Sequence, residues 1–509
     1  MLVAMPWLNA GLAGEWLSSL FAIIVIVLLA KTIYFNRKEI KRIWYIFLPL
    51  YFFFLLLFIS SFNVTFQKLD ELKWKSLDLD NAIVKETDPE KIKMINNHFR
   101  NIYLMEKQDP KLAIAIFFNL KNTYLKTFGN KPTPALSTIS KYENLITLGT
   151  SHFIPSSIIA SHSIIPDYLY IICSILFFYL CYLSFHNKKS IRKLLMTFFI
   201  SSGILALVGI YQKYNYTPNN NTPEIFGIWD TPEPRYFFAS FTYKNHWSCF
   251  AVISLSVGFA FLIRNIHIHT DNFLRSKIIP FISLFCFILF ISTVYSASRS
   301  GVIISLLFVS ILFPYIKIFK SKVLFVILSL SFSIFFFSFK DNKSITEMHN
   351  NTKQQIVQFK LGGLPLRLHL WHDLYQQISL RTFWGYGINS YRSINPIHQS
   401  NEVLNIRSIG LQYAHNLYTP LIGHGHNDWL ELFSEIGWIG FSFVLLPALL
   451  LIIREMISTE SLFAKSLFLG CFSYCLFSLI DFPIRTPACF IIFCGIFGVA
   501  LKYSKLSSN

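Results

Sequence analysis

An all-helical, polytopic membrane fold is what this sequence predicts, and three observations predict it. Hydrophobic residues make up 53% of the 509 and charged residues only 14%, a balance unlike that of soluble domains. Apolar runs long enough to cross roughly 30 Å of hydrocarbon, about 20 residues each, recur along most of the chain. The basic residues gather in short connections between those runs, so the net charge of +18 is a topology signal and argues against a nucleic-acid partner.

In chain order the runs are Leu17–Tyr34, Trp44–Phe62, Tyr168–Phe185, Leu194–Tyr211, Trp247–Ile263, Ile278–Tyr295, Val302–Ile316, Val323–Phe339, Trp438–Ile453, Ser466–Ile480 and Pro487–Leu501. They predict 11 transmembrane helices, counted from that series. Lys31, Arg37, Lys38, Lys41 and Arg42 follow the first run, Lys188, Lys189, Arg192 and Lys193 the third, Arg264, Arg275 and Lys277 the fifth, and Lys317, Lys320 and Lys322 the seventh. Each of these connections is expected on the cytoplasmic side. Alternation then puts Arg454, Lys465, Lys502 and Lys505 inside with the C-terminus, and the amino terminus outside. The first run lacks a preceding basic segment and a convincing small-residue cleavage site, so it reads as a span and not as a signal peptide.

This topology divides the chain into an N-terminal transmembrane hairpin (1–62), a helical outer-face region (63–167), a central set of transmembrane helices (168–339), a second outer-face region (340–437), and C-terminal transmembrane helices with a cytoplasmic tail (438–509). Region 63–167 mixes Lys, Glu, Asp and Asn with periodic apolar positions such as Ile92, Met94, Ile95, Phe99, Ile102 and Tyr103, which suits a surface helix. It reads as a structural cap, a docking surface or a selector of substrate. All eight cysteines lie inside predicted spans and so read as small apolar packing residues, not as a disulfide framework.

Region 340–437 differs in kind. It carries Arg367, His369, Trp371, His372, Arg381, Gly385, Gly387, Tyr391, Arg392, Arg407, His415, His424, His426 and Asn427. Guanidinium groups bind phosphate oxygens bidentately and aromatic faces stack on sugar rings, so this composition above a membrane suits a large, anionic, partly sugar-like substrate. The histidines lack a set of carboxylate or cysteine partners at ligand spacing, which argues against a metal site. Glu431 and Glu435 sit one turn apart, on the face opposite the apolar positions Trp429, Leu430, Leu432, Phe433 and Ile436, and offer a second-choice carboxylate base.

His426-Asn427, nine intervening residues, then Gly437-Trp438-Ile439-Gly440 resembles the His-Asn-x9-Gly-x-x-Gly signature of bacterial O-antigen ligases. His415-Asn416 lacks glycines at that spacing, which singles out His426. Other pieces follow the family's order: Arg235 ahead of Phe241-Thr242-Tyr243-Lys244-Asn245-His246, Ser298-Arg299-Ser300-Gly301, Arg367-x-x-x-Trp371, Gly385-Tyr386-Gly387, and Asp481-Phe482-Pro483-Ile484-Arg485-Thr486-Pro487-Ala488. The resemblance covers roughly 168–501. Its superfamily also includes O-antigen polymerases and protein O-oligosaccharyltransferases.

The resemblance implies a GT-C-like glycosyltransferase of the bacterial inner membrane that needs no cofactor and no metal. Its donor is a polyprenyl (undecaprenyl) diphosphate-linked glycan, its acceptor lipid A-core or another hydroxyl, and its site faces the periplasm among membrane lipids. His426 is the expected base, since imidazole titrates near pH 6.5 and can take a hydroxyl proton at neutral pH. Arg299, Arg235 and Arg367 are expected on the donor diphosphate. Asn427 is expected to cap the helix that follows, and Gly437 and Gly440 to support the site through close helix packing. A transporter would need polar residues within the spans, and these are nearly free of them.

Overall fold

The computed structural model describes residues 2–12, 15–37, 44–66, 110–129, 151–158, 164–215, 224–231, 236–268, 278–312, 365–408 and 421–508, with isolated positions between 89 and 147 and at 353. Among these the chain is helical, with no strand: α1 (Glu15–Phe35), α2 (Leu48–Ser60), α3 (Pro110–Phe128), α4 (Ile164–Ser184), α5 (Lys188–Asn215), α6 (Lys244–Ile268), α7 (Ile278–Tyr295), α8 (Arg299–Leu312), α9 (Leu366–Leu380), α10 (Asn401–Ser408), α11 (Asp428–Gly440), α12 (Leu446–Ser458), α13 (Leu462–Phe477) and α14 (Pro487–Ser508).

Every predicted apolar run except Val323–Phe339, which lies outside the described residues, coincides with a helix. Five of these helices are long and apolar enough to cross a membrane: α5, α6, α7, α14 and the continuous Asp428–Ser458. Ser19–Phe35, Leu48–Ser60, Leu169–Ser184, Arg299–Leu312 and Leu462–Phe477 are apolar but shorter. For α2 the difference is geometric. At 1.5 Å per residue, a helix as short as α2 rises only about 20 Å, less than the hydrocarbon thickness. The apolar run around α2 is longer than its regular helix because Trp44–Phe47 forms a tighter 3-10 turn before Pro49.

The described chain forms two compact units, one of Met1–Tyr45, Tyr168–Val357 and Ala448–Asn509, the other of Ile46–Asp167 and Gln358–Pro447. In the first, α6 is buried along nearly its whole length and packs against α13, α7, α5 and α8. Small side chains let these helices approach, as membrane packing requires. A Cβ on Gly470 of α13 would stand 2.2 Å from Ser256 Oγ of α6, and Ser466 Oγ donates to Ser256 O at 2.7 Å. All eight cysteines are buried, none of them in a disulfide, within helices of this unit.

In the second unit α3 supplies the core. Its buried residues Ala113, Ile114, Phe117, Phe118, Leu120 and Tyr124 cluster with Phe66, Ile139 and Ile158, and also with Tyr386 and Ile394. The two outer-face regions that the sequence suggests as separate therefore share one hydrophobic core. Of the periodic positions proposed for 63–167, Ile102 joins it; the other five lie outside the described residues. α9 packs against α10 and α11. Phe52 of α2 stacks on Phe443, with ring centroids 4.6 Å apart.

Candidate active site

The histidine turn is built at the start of α11. Asn427, in extended conformation, is the N-cap, its Oδ1 accepting from Leu430 N at 3.0 Å. Asp428 and Glu431 stand in the first turn, where the helix dipole favours negative charge. His426, just before the cap, has φ 53°, in the left-handed region that histidine tolerates better than most residues. Trp371 Nε1 donates to Gly425 O at 3.1 Å, and Leu374 of the same helix packs at Gly425. Arg367 precedes Trp371 by four residues on α9 and so shares that face.

Glu431 holds the same turn from inside. Its Oε1 lies 3.2 Å from His424 Nδ1, and its Oε2 accepts from Gly425 N at 3.0 Å. Glu435, one turn on, is buried as well, its Oε1 3.5 Å from Tyr391 N. The expectation that this pair lies on a face away from the core is corrected: Asp428, Glu431, Ser434 and Glu435 form a buried polar side of α11 that packs on α9, where Ser434 Oγ donates to Gln377 Oε1 at 3.2 Å, whereas Trp429, Leu430 and Phe433 are only partly buried.

Gly437 interrupts α11 with φ 64° and ψ −176°, a region essentially reserved for glycine. In an unbroken helix the amides of Trp438 and Ile439 would donate to the carbonyls of Ser434 and Glu435. Here they donate to Thr382 O at 2.9 Å and Phe383 O at 3.1 Å, while Ser434 O and Glu435 O accept from Tyr386 N at 2.9 Å and Gly387 N at 2.8 Å. Segment 382–387 is thus inserted into the helix's own ladder with its backbone groups satisfied. A Cβ on Gly437 would fall 2.3 Å from Phe383 O, and one on Gly385 2.5 Å from Ser434 O. Gly437 therefore serves a backbone insertion and not the helix packing expected of it. Gly440 does serve packing, facing Leu56 of α2.

Below the inserted segment, Arg381 lies over the Tyr386 ring at 4.8 Å and donates to Ser156 Oγ at 3.2 Å, and Ser156 Oγ donates to Gly385 O at 3.0 Å. Tyr386 OH is 3.4 Å from His398 Nε2. Burial lowers the Arg381 pKa and raises that of Tyr386; burial, and then the nearby Arg381 charge, lower that of His398.

The first unit gathers three other pieces. Ser298 caps α8, accepting from Gly301 N at 3.2 Å, and donates to Asn245 Oδ1 at 2.7 Å. Asn245 Nδ2 in turn donates to Asp481 Oδ2. His246 Nδ1 is 2.6 Å from Thr486 Oγ1, and Tyr243 stacks on Phe482 at 5.6 Å. Asn245, Ser298 and Asp481 are all buried, whereas Arg299, at the first position of α8, is exposed.

His426, Asn427, Gly437, Gly440 and Arg367 thus belong to the second unit and Arg299 to the first. Arg235 and His415 lie outside the described residues. Among the described residues no group of three or more His, Cys, Asp and Glu could hold a metal ion. Sequence reasoning missed the His424–Glu431 pair, whose signal was a carboxylate seven residues beyond a histidine, one helical turn after the Asn427 cap. It also missed Arg381–Ser156, which carries no local signal because 225 residues separate the partners.

No curated protein matches the chain. The family model described as O-antigen ligase matches residues 284–445, a narrower stretch than 168–501, holding Arg299, Arg367, the inserted segment and the whole histidine signature while leaving Arg235 and Asp481 outside. Over that stretch this membrane protein is similar to the O-antigen ligase family.

Proposed function

We propose that the chain is an O-antigen ligase-like glycosyltransferase, moving a polysaccharide from a polyprenyl diphosphate carrier to lipid A-core at the periplasmic face of the bacterial inner membrane. The observation that carries this reading is the His-Asn-x9-Gly-x-x-Gly signature, which lies inside the matched stretch and folds as a capped turn ahead of a helix opened at Gly437. Regions 63–167 and 340–437 face the periplasm in this reading and the C-terminus the cytoplasm, as the charge bias of the short connections predicts.

In the reaction His426 accepts the proton of the acceptor hydroxyl as its oxygen attacks the anomeric carbon. The bond from that carbon to the carrier diphosphate breaks, its electron pair leaves with the diphosphate, and the anomeric configuration inverts. Fixed guanidinium charges stabilise the departing diphosphate in the role a metal would otherwise take. Arg299, Arg235 and Arg367 are proposed for it: the first two from their order in the sequence, Arg367 also from sharing the Trp371 face of α9.

A strain lacking the protein, complemented with wild type or with His426→Asn, tests this. Asparagine keeps the left-handed backbone accessible while removing the base. Wild type should restore the long-chain lipopolysaccharide ladder, and the variant should lose transfer by about 10²–10⁴-fold with long glycan accumulating on the carrier. Lipid A-core bearing one repeat unit would instead mean polymerase, and an unchanged ladder would reject a lipopolysaccharide role.

A further inference from the structure

The carboxylate of Glu431 sits on the protein side of the histidine turn with 1% of its side chain exposed, while the His424 side chain it touches is 31% exposed. Burying a carboxylate is unfavourable unless its oxygens are satisfied. Here each oxygen has a partner of a different kind, a ring nitrogen at 3.2 Å and a backbone amide at 3.0 Å, and the helix start adds its dipole. With Nδ1–H donated to Glu431, His424 is held in one tautomer and orientation, and the Gly425 peptide is held from its amide by Glu431 and from its carbonyl by Trp371.

We propose that Glu431 is a positioning residue of the transfer site: by gripping His424 and the Gly425 amide together, it fixes the turn from which His426 meets the acceptor hydroxyl, a role that rests on the reading above. The two-point grip requires a carboxylate. A glutamine has one acceptor oxygen, so it keeps the Gly425 amide only by turning its own amide nitrogen to His424, which gives up the charge-assisted bonds and reverses the ring tautomer; an aspartate is one methylene too short to span both partners.

The test uses the full-length chain in lipid nanodiscs, with carrier-linked glycan and lipid A-core both extracted from the strain lacking the protein. Glu431→Gln should lower kcat by about 10–100-fold, the range for partners that orient a functional histidine, and leave the donor KM within about twofold, as an interaction felt in the transition state does. Glu431→Asp should fall between the two. His424→Gln, which leaves the Gly425 grip intact, should lose less than Glu431→Gln. Unchanged kcat in Glu431→Gln overturns the proposal, as does a His424→Gln defect equal to that of His426→Asn, which would make His424 the proton acceptor itself. Amide hydrogen exchange over 421–427 supplies a readout independent of turnover: it should quicken in Glu431→Gln and not in His424→Gln, and unchanged exchange in Glu431→Gln overturns the grip. If wild type transfers nothing to lipid A-core, the functional reading fails, while the exchange result still decides the grip.

Discussion

Around Asn245 the motif residues are held side chain to side chain: Ser298 to Asn245, Asn245 to Asp481, His246 to Thr486. Around His426 much of the anchoring runs through the backbone. His426 occupies a left-handed conformation, Gly425 is tied by its carbonyl and its amide, and segment 382–387 replaces a stretch of helical ladder. The first region depends on which polar atoms its residues carry. The second depends on where the backbone can go, with Glu431 as its main side-chain tie, so the two should fail under different kinds of substitution.

Gly437→Ala should break the comparison most forcefully. It places a Cβ 2.3 Å from Phe383 O at dihedrals that L-residues avoid, for a combined cost of about 3–5 kcal/mol. The expected outcome is loss of folded protein from detergent extracts, read by size-exclusion profile and thermal unfolding. A normally stable Gly437→Ala protein would mean that 382–387 is not inserted in the ladder. Asn245→Ala should come next, at about 2–3 kcal/mol, because it strips a partner from a buried carboxylate and a buried hydroxyl at once. Asn245→Asp should not rescue it, since it sets a second carboxylate against Asp481; full rescue would show that the network needs only size.

The helical class, the location of the apolar helices and the histidine signature were legible in the sequence because each is written locally, in apolar run length or fixed spacing. The Asn427 cap was legible for the same reason, as a short polar side chain at the start of a periodic segment. The role of Gly437 was not, because the residues that need its missing Cβ, Phe383 and Trp384, lie more than fifty positions upstream. Nor was the shared core of 63–167 and 340–437, where Phe66 and Phe118 meet Tyr386 and Ile394. Spacing records one helix's neighbours, and these partners are supplied by the fold.

Trp371→Phe offers a smaller and sharper probe of the backbone-held region. It keeps an aromatic ring while losing the pyrrole part of the indole, and with it one donor to Gly425 O, for about 1–2 kcal/mol. If the carbonyl and amide ties on Gly425 act together, Trp371→Phe and Glu431→Gln should be less than additive in thermal unfolding. Strict additivity would mean that the two ties hold independent pieces.

The smallest expected effects are those of pH, and their signs separate two buried groups of the second unit. His398 has its pKa lowered from 6.5 by burial and then by Arg381, so below pH 6.5 the unfolded chain binds protons that the folded one refuses, and stability falls with acidification. Asp373 has its pKa raised from 3.8, chiefly by burial and against the Ser400 amide that its Oδ2 accepts from. The folded state therefore holds a proton that the unfolded state has released, and stability falls as pH rises from 3.8 through the raised value. Thermal unfolding of His398→Gln should match wild type at pH 7.5 and hold up better at pH 5.5. Asp373→Asn, which keeps an acceptor for Ser400 N, should gain at pH 7.5 and lose that advantage toward pH 4. If both variants lose stability on acidification just as wild type does, neither group governs the response, and the acid sensitivity belongs to carboxylates that are paired when ionised.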